Sequence, residues 1–193
     1  MATWWVGQRR IRAGRRRDEM PLNDLESLLT SAKRTLYRVP GDAVFITRNP
    51  DIVPLALRTM VTQNHALQKR AILLSWSTVD VPSTVGSASR ISVEELPSGI
   101  VRVIAKIGFR EHPRMTELLN EAHRVDNRAL EDFAASRATF FISTPVPRYN
   151  PRSRMFRWSQ ALFLAIDRLA PDPLDVIELP RDRTIVLGRE VVL

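Results

Sequence analysis

Two kinds of side chain in this 193-residue chain have the right type and spacing for chemistry: cations that could hold a phosphate, and carboxylates or imidazoles that could move a proton. The cationic candidate is Thr47-Arg48-Asn49, directly after the apolar run Ala43 to Ile46. In an open α/β sheet, ligands sit where the loops at the carboxyl ends of strands part, and a guanidinium fork matches a phosphate. By the same rule Ser75 to Asp80, after the next apolar run, forms the second wall. Asn49 and Asp51 equally suit an ordinary turn and a helix cap.

The proton-moving candidates are weaker. Glu94 and Glu95 are adjacent, but on a strand neighbouring side chains face opposite sides. His65, His112 and His123 have neither metal-ligand spacing nor a partnered acid or nucleophile, and read as surface or helix-end histidines. The seven glycines lie singly, so no loop is built to cradle a phosphate. With no cysteine there is no thiolate chemistry and no disulfide framework, which fits a reducing compartment. No catalytic residue or metal site is expected.

Charge is distributed unevenly along the chain. The chain carries a net charge of +8, and six of those positive charges are Arg9, Arg10, Arg12, Arg15, Arg16 and Arg17, in a stretch with no acidic residue before Asp18. The rest is close to neutral, which argues against a domain-wide nucleic-acid face. Composition is ordinary for a folded domain, at 44% hydrophobic and 26% charged. No run approaches the roughly 18–20 apolar residues that span a bilayer.

Such candidates need elements to position them. PLNDLESLLTSAK places leucines at helical spacing, and Pro21 suits a first turn. After a turn at Pro40-Gly41 comes a strand over 43–46. A helix over 53–68 follows, with Asp51 placed to cap it, and then a buried strand over 70–79. VPSTVGSAS is rich in small residues and is the best candidate for disorder. ISVEELP and GIVRVIAKIGF form a hairpin, with a helix over 113–124 and a strand over 140–146 beyond it. A strongly amphipathic helix covers 155–169, and TIVLGREVVL reads as two short strands about Gly188-Arg189. The sum is an α/β fold, a mixed sheet with helices packed on it. A basic arm (1–20) and a short amphipathic helix with linker (21–39) precede the main domain (40–193).

The order of these segments resembles the C-terminal cytosolic region of the KUP (HAK/KUP/KT) family of potassium uptake transporters. The stretches that carry the resemblance are RVPGDAVFITRNPDIVPLAL, QNHALQKRAILL, VEELPSGIVRVIAKIGFREHP, TFFIS, the W-x3-LF of Trp158, Leu162 and Phe163, and IELPRDRTIVLGREVVL. ATWW running into arginines looks like the family's exit from its last transmembrane helix. Two places depart from the family pattern. Arg58, Gln63 and Gln68 stand in a segment usually rich in histidine and lysine, and Ser143-Thr144-Pro145 stands where relatives have S-R-E.

The resemblance implies a non-catalytic regulatory and dimerisation domain on the cytoplasmic face of the cell membrane, attached to a proton-coupled potassium transporter whose membrane part lies upstream. Trp4 and Trp5 would then sit at the headgroup belt, and the six arginines at an anionic membrane surface. Some bacterial members are inhibited through this region by cyclic di-AMP, so that nucleotide is the expected ligand. Arg48, Arg102 and Arg110 are candidates for its cationic lining, beside Thr47 and Asn49. The competing reading is a basic-tailed nucleic-acid-binding module, which predicts affinity that collapses with salt and vanishes without residues 1–17. The chain shows neither an RNA-recognition aromatic pair nor a helix-turn-helix pattern, so no nucleic-acid partner is expected. A small α/β enzyme is third and would need paired titratable groups in a pocket.

Overall fold

A computed structural model describes residues 20–96, 98–112, 114–148 and 177–192, with the backbone alone for 145–148 and 189–192. The basic arm and the amphipathic stretch 155–169 therefore lie outside the described residues. The elements in chain order are β1 (Met20–Pro21), a 3-10 turn (Leu22–Asp24), α1 (Leu25–Ala32), β2 (Tyr37–Thr47), β3 (Ile52–Val53), α2 (Leu55–Thr62) and β4 (Ala66–Val79). They continue with β5 (Ile91–Glu95), β6 (Ile100–Gly108), α3 (Met115–Val125), β7 (Thr139–Arg148), a second 3-10 turn (Arg181–Arg183) and β8 (Thr184–Val192).

Six strands form one mixed sheet in the order β5-β6-β4-β2-β7-β8, and β1 and β3 form a separate two-stranded ribbon. β5 is antiparallel to β6 and every other neighbouring pair in the sheet is parallel. The fold is α/β, as the alternating pattern predicts. From β2 the chain steps outward through β4 to β6, then returns to place β7 on the other side of β2. That reversal makes the carboxyl ends of β2 and β7 the point where the loops part.

Both faces of the sheet are buried, which is why its strands read as apolar runs rather than clean alternations. On one face Val44, Ile72, Val103 and Phe140 pack with Met115, Leu118, Leu119 and Ala122 of α3. On the other, Phe45, Leu73 and Phe141 pack with Leu25 and Leu29 of α1 and Leu57 and Val61 of α2. Phe45 and Phe141 stack with ring centroids 4.9 Å apart. Each such fully buried side chain contributes about 1.5–3 kcal/mol by removal from water.

Four expectations are corrected here. Pro40-Gly41 is not a turn ahead of a strand beginning at Ala43: it is a bulge inside β2, where the pairing with β4 slips between Val39 and Asp42, and Gly41 takes φ 114°. The helix expected over 53–68 stops at Thr62, because His65 adopts a left-handed φ of 49° and its carbonyl accepts the Tyr37 N–H. From Ala66 the chain pairs with the start of β2, so ladder hydrogen bonds override helical spacing. The segment expected to be disordered is held in place, as described below. Finally, Gly188 does not divide two strands: it continues the ladder opposite Thr144, and β8 is one strand.

Candidate functional site

The chain turns sharply after β2. Asn49 N–H donates to the Thr47 hydroxyl at 3.3 Å, and Asp51 N–H donates to Asn49 Oδ1 at 3.0 Å. These bonds make a local side-chain turn, so Thr47 and Asn49 serve the backbone as well as any ligand. Arg48, between them, is exposed, with its guanidinium carbon 5.6 Å from the centroid of the Trp76 ring on neighbouring β4. Trp76 packs partly against the core of the α3 face. The pair is a cation on a half-buried aromatic where the carboxyl ends of β2 and β4 lie side by side, with its exposed hydrogen-bonding fork open to an anion.

Arg102 plays a different part. It is the third residue of β6, partly buried, and donates to the Pro50 carbonyl at 2.9 Å. It also lies 3.3 Å from Asp51 Oδ1 and 3.2 Å from Glu94 Oε2. The side chain is a strut tying the loop after β2 to the sheet. Asp51 faces this strut and does not cap α2, which starts behind Pro54 with no side-chain cap bond, contrary to expectation. Arg110 lies beyond the end of β6, 5.9 Å from the centroid of the Phe109 ring. Thr47, Arg48 and Asn49 thus share one turn, linked to Arg102 through residues 50 and 51, whereas Arg110 sits on a separate loop at the end of β6.

That loop has its own polar centre, Glu111. Its Oε1 accepts from the Ser83 hydroxyl at 2.5 Å, from Thr84 N–H at 2.6 Å and from Val85 N–H at 3.2 Å. Oε2 accepts from Gly108 N–H at 3.3 Å and lies 3.6 Å from Arg90. Burial by itself would raise this carboxyl. The bonds from Ser83, Thr84 and Gly108 and the charge of Arg90 outweigh it and hold the group at about 2 instead of 4.5. A Cβ on Gly108 would lie 2.5 Å from the Pro82 carbonyl oxygen, so only glycine allows the two loops to meet.

At the opposite edge, Arg70, Ile72, Glu95, Arg128, Glu131 and Phe133 help line a shallow cavity. Arg70 there is engaged with the buried Asp42 carboxylate at 2.5 Å and with the Glu131 carbonyl at 3.4 Å. Sequence reasoning missed both the Asp42–Arg70 pair and the role of Glu111. A lone charge directly before an apolar run signals the first, while the second depends on donors 26 to 28 residues away. His123 Nδ1 lies 3.1 Å from the Leu130 carbonyl at the end of α3, a structural contact. Among the described residues no group of three His, Cys, Asp or Glu could hold a metal ion, and no helix is long and apolar enough to cross a membrane.

Comparison with known proteins supplies a context for this geometry. The family described as K+ potassium transporter C-terminal domain matches residues 40–193. The chain is 30% identical over 195 residues to a probable potassium transport system protein Kup of Caulobacter vibrioides, covering 100% of this chain and 28% of that relative. It is 29% identical over 194 residues to the corresponding protein of Rhodococcus jostii, covering 99% and 29%. It is 31% identical over 191 residues to that of Nitrobacter winogradskyi, covering 99% and 28%. The chain thus spans less than a third of the length of these curated relatives. No solved structure matches.

Proposed function

Because this chain belongs to the family of potassium transporter C-terminal domains, we propose that it is the regulatory and assembly domain on the cytoplasmic face of a Kup-type, proton-coupled potassium uptake transporter. The observation that carries the reading is similarity along the whole of this chain to proteins named for potassium transport, of which it covers under a third. The remaining length of such a protein would hold the ion pathway. The basic arm, with Trp4 and Trp5 ahead of six arginines, would hold the domain against anionic lipid.

The regulatory ligand in this reading is cyclic di-AMP, bound at the carboxyl edge of the sheet. Arg48 stacked on Trp76 supports that placement, since it offers a charged fork for a phosphate beside an aromatic face. Binding would act as a population shift, favouring one arrangement of the domain relative to the membrane part by its differential affinity for the two arrangements.

Isothermal titration calorimetry of the 193-residue chain with cyclic di-AMP, beside ATP and AMP and at two salt concentrations, tests the ligand. Saturable, weakly salt-dependent binding selective for the cyclic dinucleotide is expected, with Arg48→Ala weakening it by about tenfold, the loss of one charge-assisted contact. Heat from none of the three nucleotides would remove the sensor role and leave an assembly domain.

The assembly role rests on the two unlike edges of the sheet. β5 is five residues long and carries Glu94 and Glu95, a combination that discourages further pairing. β8 is nine residues long and rich in valine and isoleucine, and Ile185 and Val186 are each 47% exposed. Among the described residues its outer edge has no strand partner. A second copy adding its β8 there supports the homodimer reading.

A further inference from the structure

Val81, Val85 and Phe109 are 45%, 73% and 56% exposed, and they stand on two segments joined by backbone hydrogen bonds. Phe109 N–H donates to the Val81 carbonyl, Arg110 N–H to the Pro82 carbonyl, and Val85 N–H to Glu111. Their exposure is therefore not that of a loose loop. The Glu111 carboxylate, the close approach at Gly108 and the bond from the Thr84 hydroxyl to the Lys106 carbonyl fix the loop from beneath. Within this knuckle Ser83 and Thr84 spend their hydroxyls on Glu111 and the Lys106 carbonyl, while Val81, Val85 and Phe109 are left facing solvent. Exposed Arg110 lies over the Phe109 ring, and exposed Lys106 and His112 stand on the same strand end and loop, against one exposed acid, Asp80.

The direction in which this knuckle faces can be read from the chain. It caps the carboxyl ends of β4 and β6, the edge that also carries Arg48. Met20 and Pro21 pair with Val53 and Ile52, in the segment that follows the carboxyl end of β2, so the chain upstream of Met20 joins the domain on the same side. Two residues, Asp18 and Glu19, lie between Arg17 and Met20, so three backbone steps give a reach of at most about 11 Å. The end of the arginine run is thereby kept close to the carboxyl half of the sheet by covalent geometry alone.

We infer that the Val81–Val85–Phe109 knuckle is a second membrane contact, in which the folded domain itself rests on an anionic phospholipid surface: the three apolar side chains enter the headgroup region and Arg110 meets lipid phosphate. The inference rests on the reading of the basic arm as a membrane anchor. Apolar side chains beside the exposed cations Arg110 and Lys106 are the chemistry of an interfacial binder, and two weak signals together give the stable attachment that neither gives alone. The contact would also fix orientation, turning the carboxyl edge toward the bilayer and the Tyr37 edge away from it.

The chain contains no cysteine, so one introduced thiol takes a label uniquely. Val85→Cys, carrying an environment-sensitive fluorophore in the 193-residue chain, is mixed with zwitterionic vesicles with and without phosphatidylglycerol. Tyr37→Cys, 76% exposed at the amino end of β2, is the control. The expected result is a blue shift and several-fold protection from aqueous iodide at Val85→Cys on the anionic vesicles only, with Tyr37→Cys unchanged. Phe109→Ser is expected to weaken partitioning by about tenfold, as the loss of one inserted aromatic side chain would.

A Val85→Cys label that stays aqueous while the chain binds vesicles overturns the inference and leaves the arm as anchor. The knuckle would then face a protein partner. In a chain with the six arginines changed to glutamine, continued binding with the Val85→Cys label protected would sink the anchor reading and keep the knuckle. If the native chain binds no vesicle, both fall.

Discussion

Glu111 is an internal anion in a nest of donors that would otherwise suit a bound one. The Ser83 hydroxyl, three backbone N–H groups and Arg90 converge on it, and removing the charge would weaken all of these contacts at once, although Arg90 would keep Glu121. Replacement by glutamine keeps the volume but turns an amide N–H₂ toward donors. Glu111→Gln is accordingly expected to lower stability by about 1.5–3 kcal/mol, the range for hydrogen bonds to a charged group, read as a shift in the urea midpoint at neutral pH. The pH dependence has a definite sign. The folded carboxyl is held at about 2 against an ordinary 4.5, so its contribution is fully present above pH 4.5 and is lost as pH falls through about 2. The midpoints of native and Glu111→Gln chains should thus converge across that window. A constant gap from pH 6 down to pH 2 would show that the clamp does not depend on the carboxylate charge.

At the scale of elements, the loop from Val81 to Arg90 is the clearest test of what holds this edge. It has the composition of a flexible segment, yet hydrogen bonds at both ends tie it to the end of β6. Amide exchange at Thr84, Val85, Phe109 and Arg110 is expected to be slowed at least about a hundredfold relative to the unfolded chain, and to lose that protection in Glu111→Gln. Free exchange at all four in the native chain would mean that the loop is not clamped. The same loop marks the limit of what can be read from sequence. Buried strands such as β4, the β5–β6 hairpin and the α3 helix are written in local periodicity, and so is the placing of Thr47 and Arg48 at a strand end. The order of VPSTVGSAS depends on a carboxylate more than twenty residues away, which no local window contains. The end of α2 was hidden for a related reason: 63–68 keeps helical spacing, and only the pairing of Ala66 with Tyr37 makes it strand. Arg102 looked like a ligand cation because its partners, Pro50 and Asp51, come from a different stretch of chain.

For the whole molecule, the question is what a sheet does with one blunted edge and one edge that has no strand partner among the described residues. A cyclic dimer brings identical edges together antiparallel about a two-fold axis, and Gly188 is the middle residue of β8. Pairing centred there would set a backbone without a side chain at the axis, where two strands approach most closely. It would also join two six-stranded sheets into one and remove the template that an exposed edge rich in β-branched residues presents to any other chain. Sedimentation equilibrium of the native chain should then report a dimer, and Val186→Glu, which in that register places a carboxylate opposite Glu190 of the second copy, should shift it toward monomer by at least about tenfold in dissociation constant. Because Val186 is nearly half exposed, the substitution should leave the thermal midpoint of a dilute sample almost unchanged. That separates a lost interface from a lost fold. A native chain that stays monomeric at high concentration would mean that β8 is covered by something other than its own copy, and would make assembly of the transporter depend on another part of the protein.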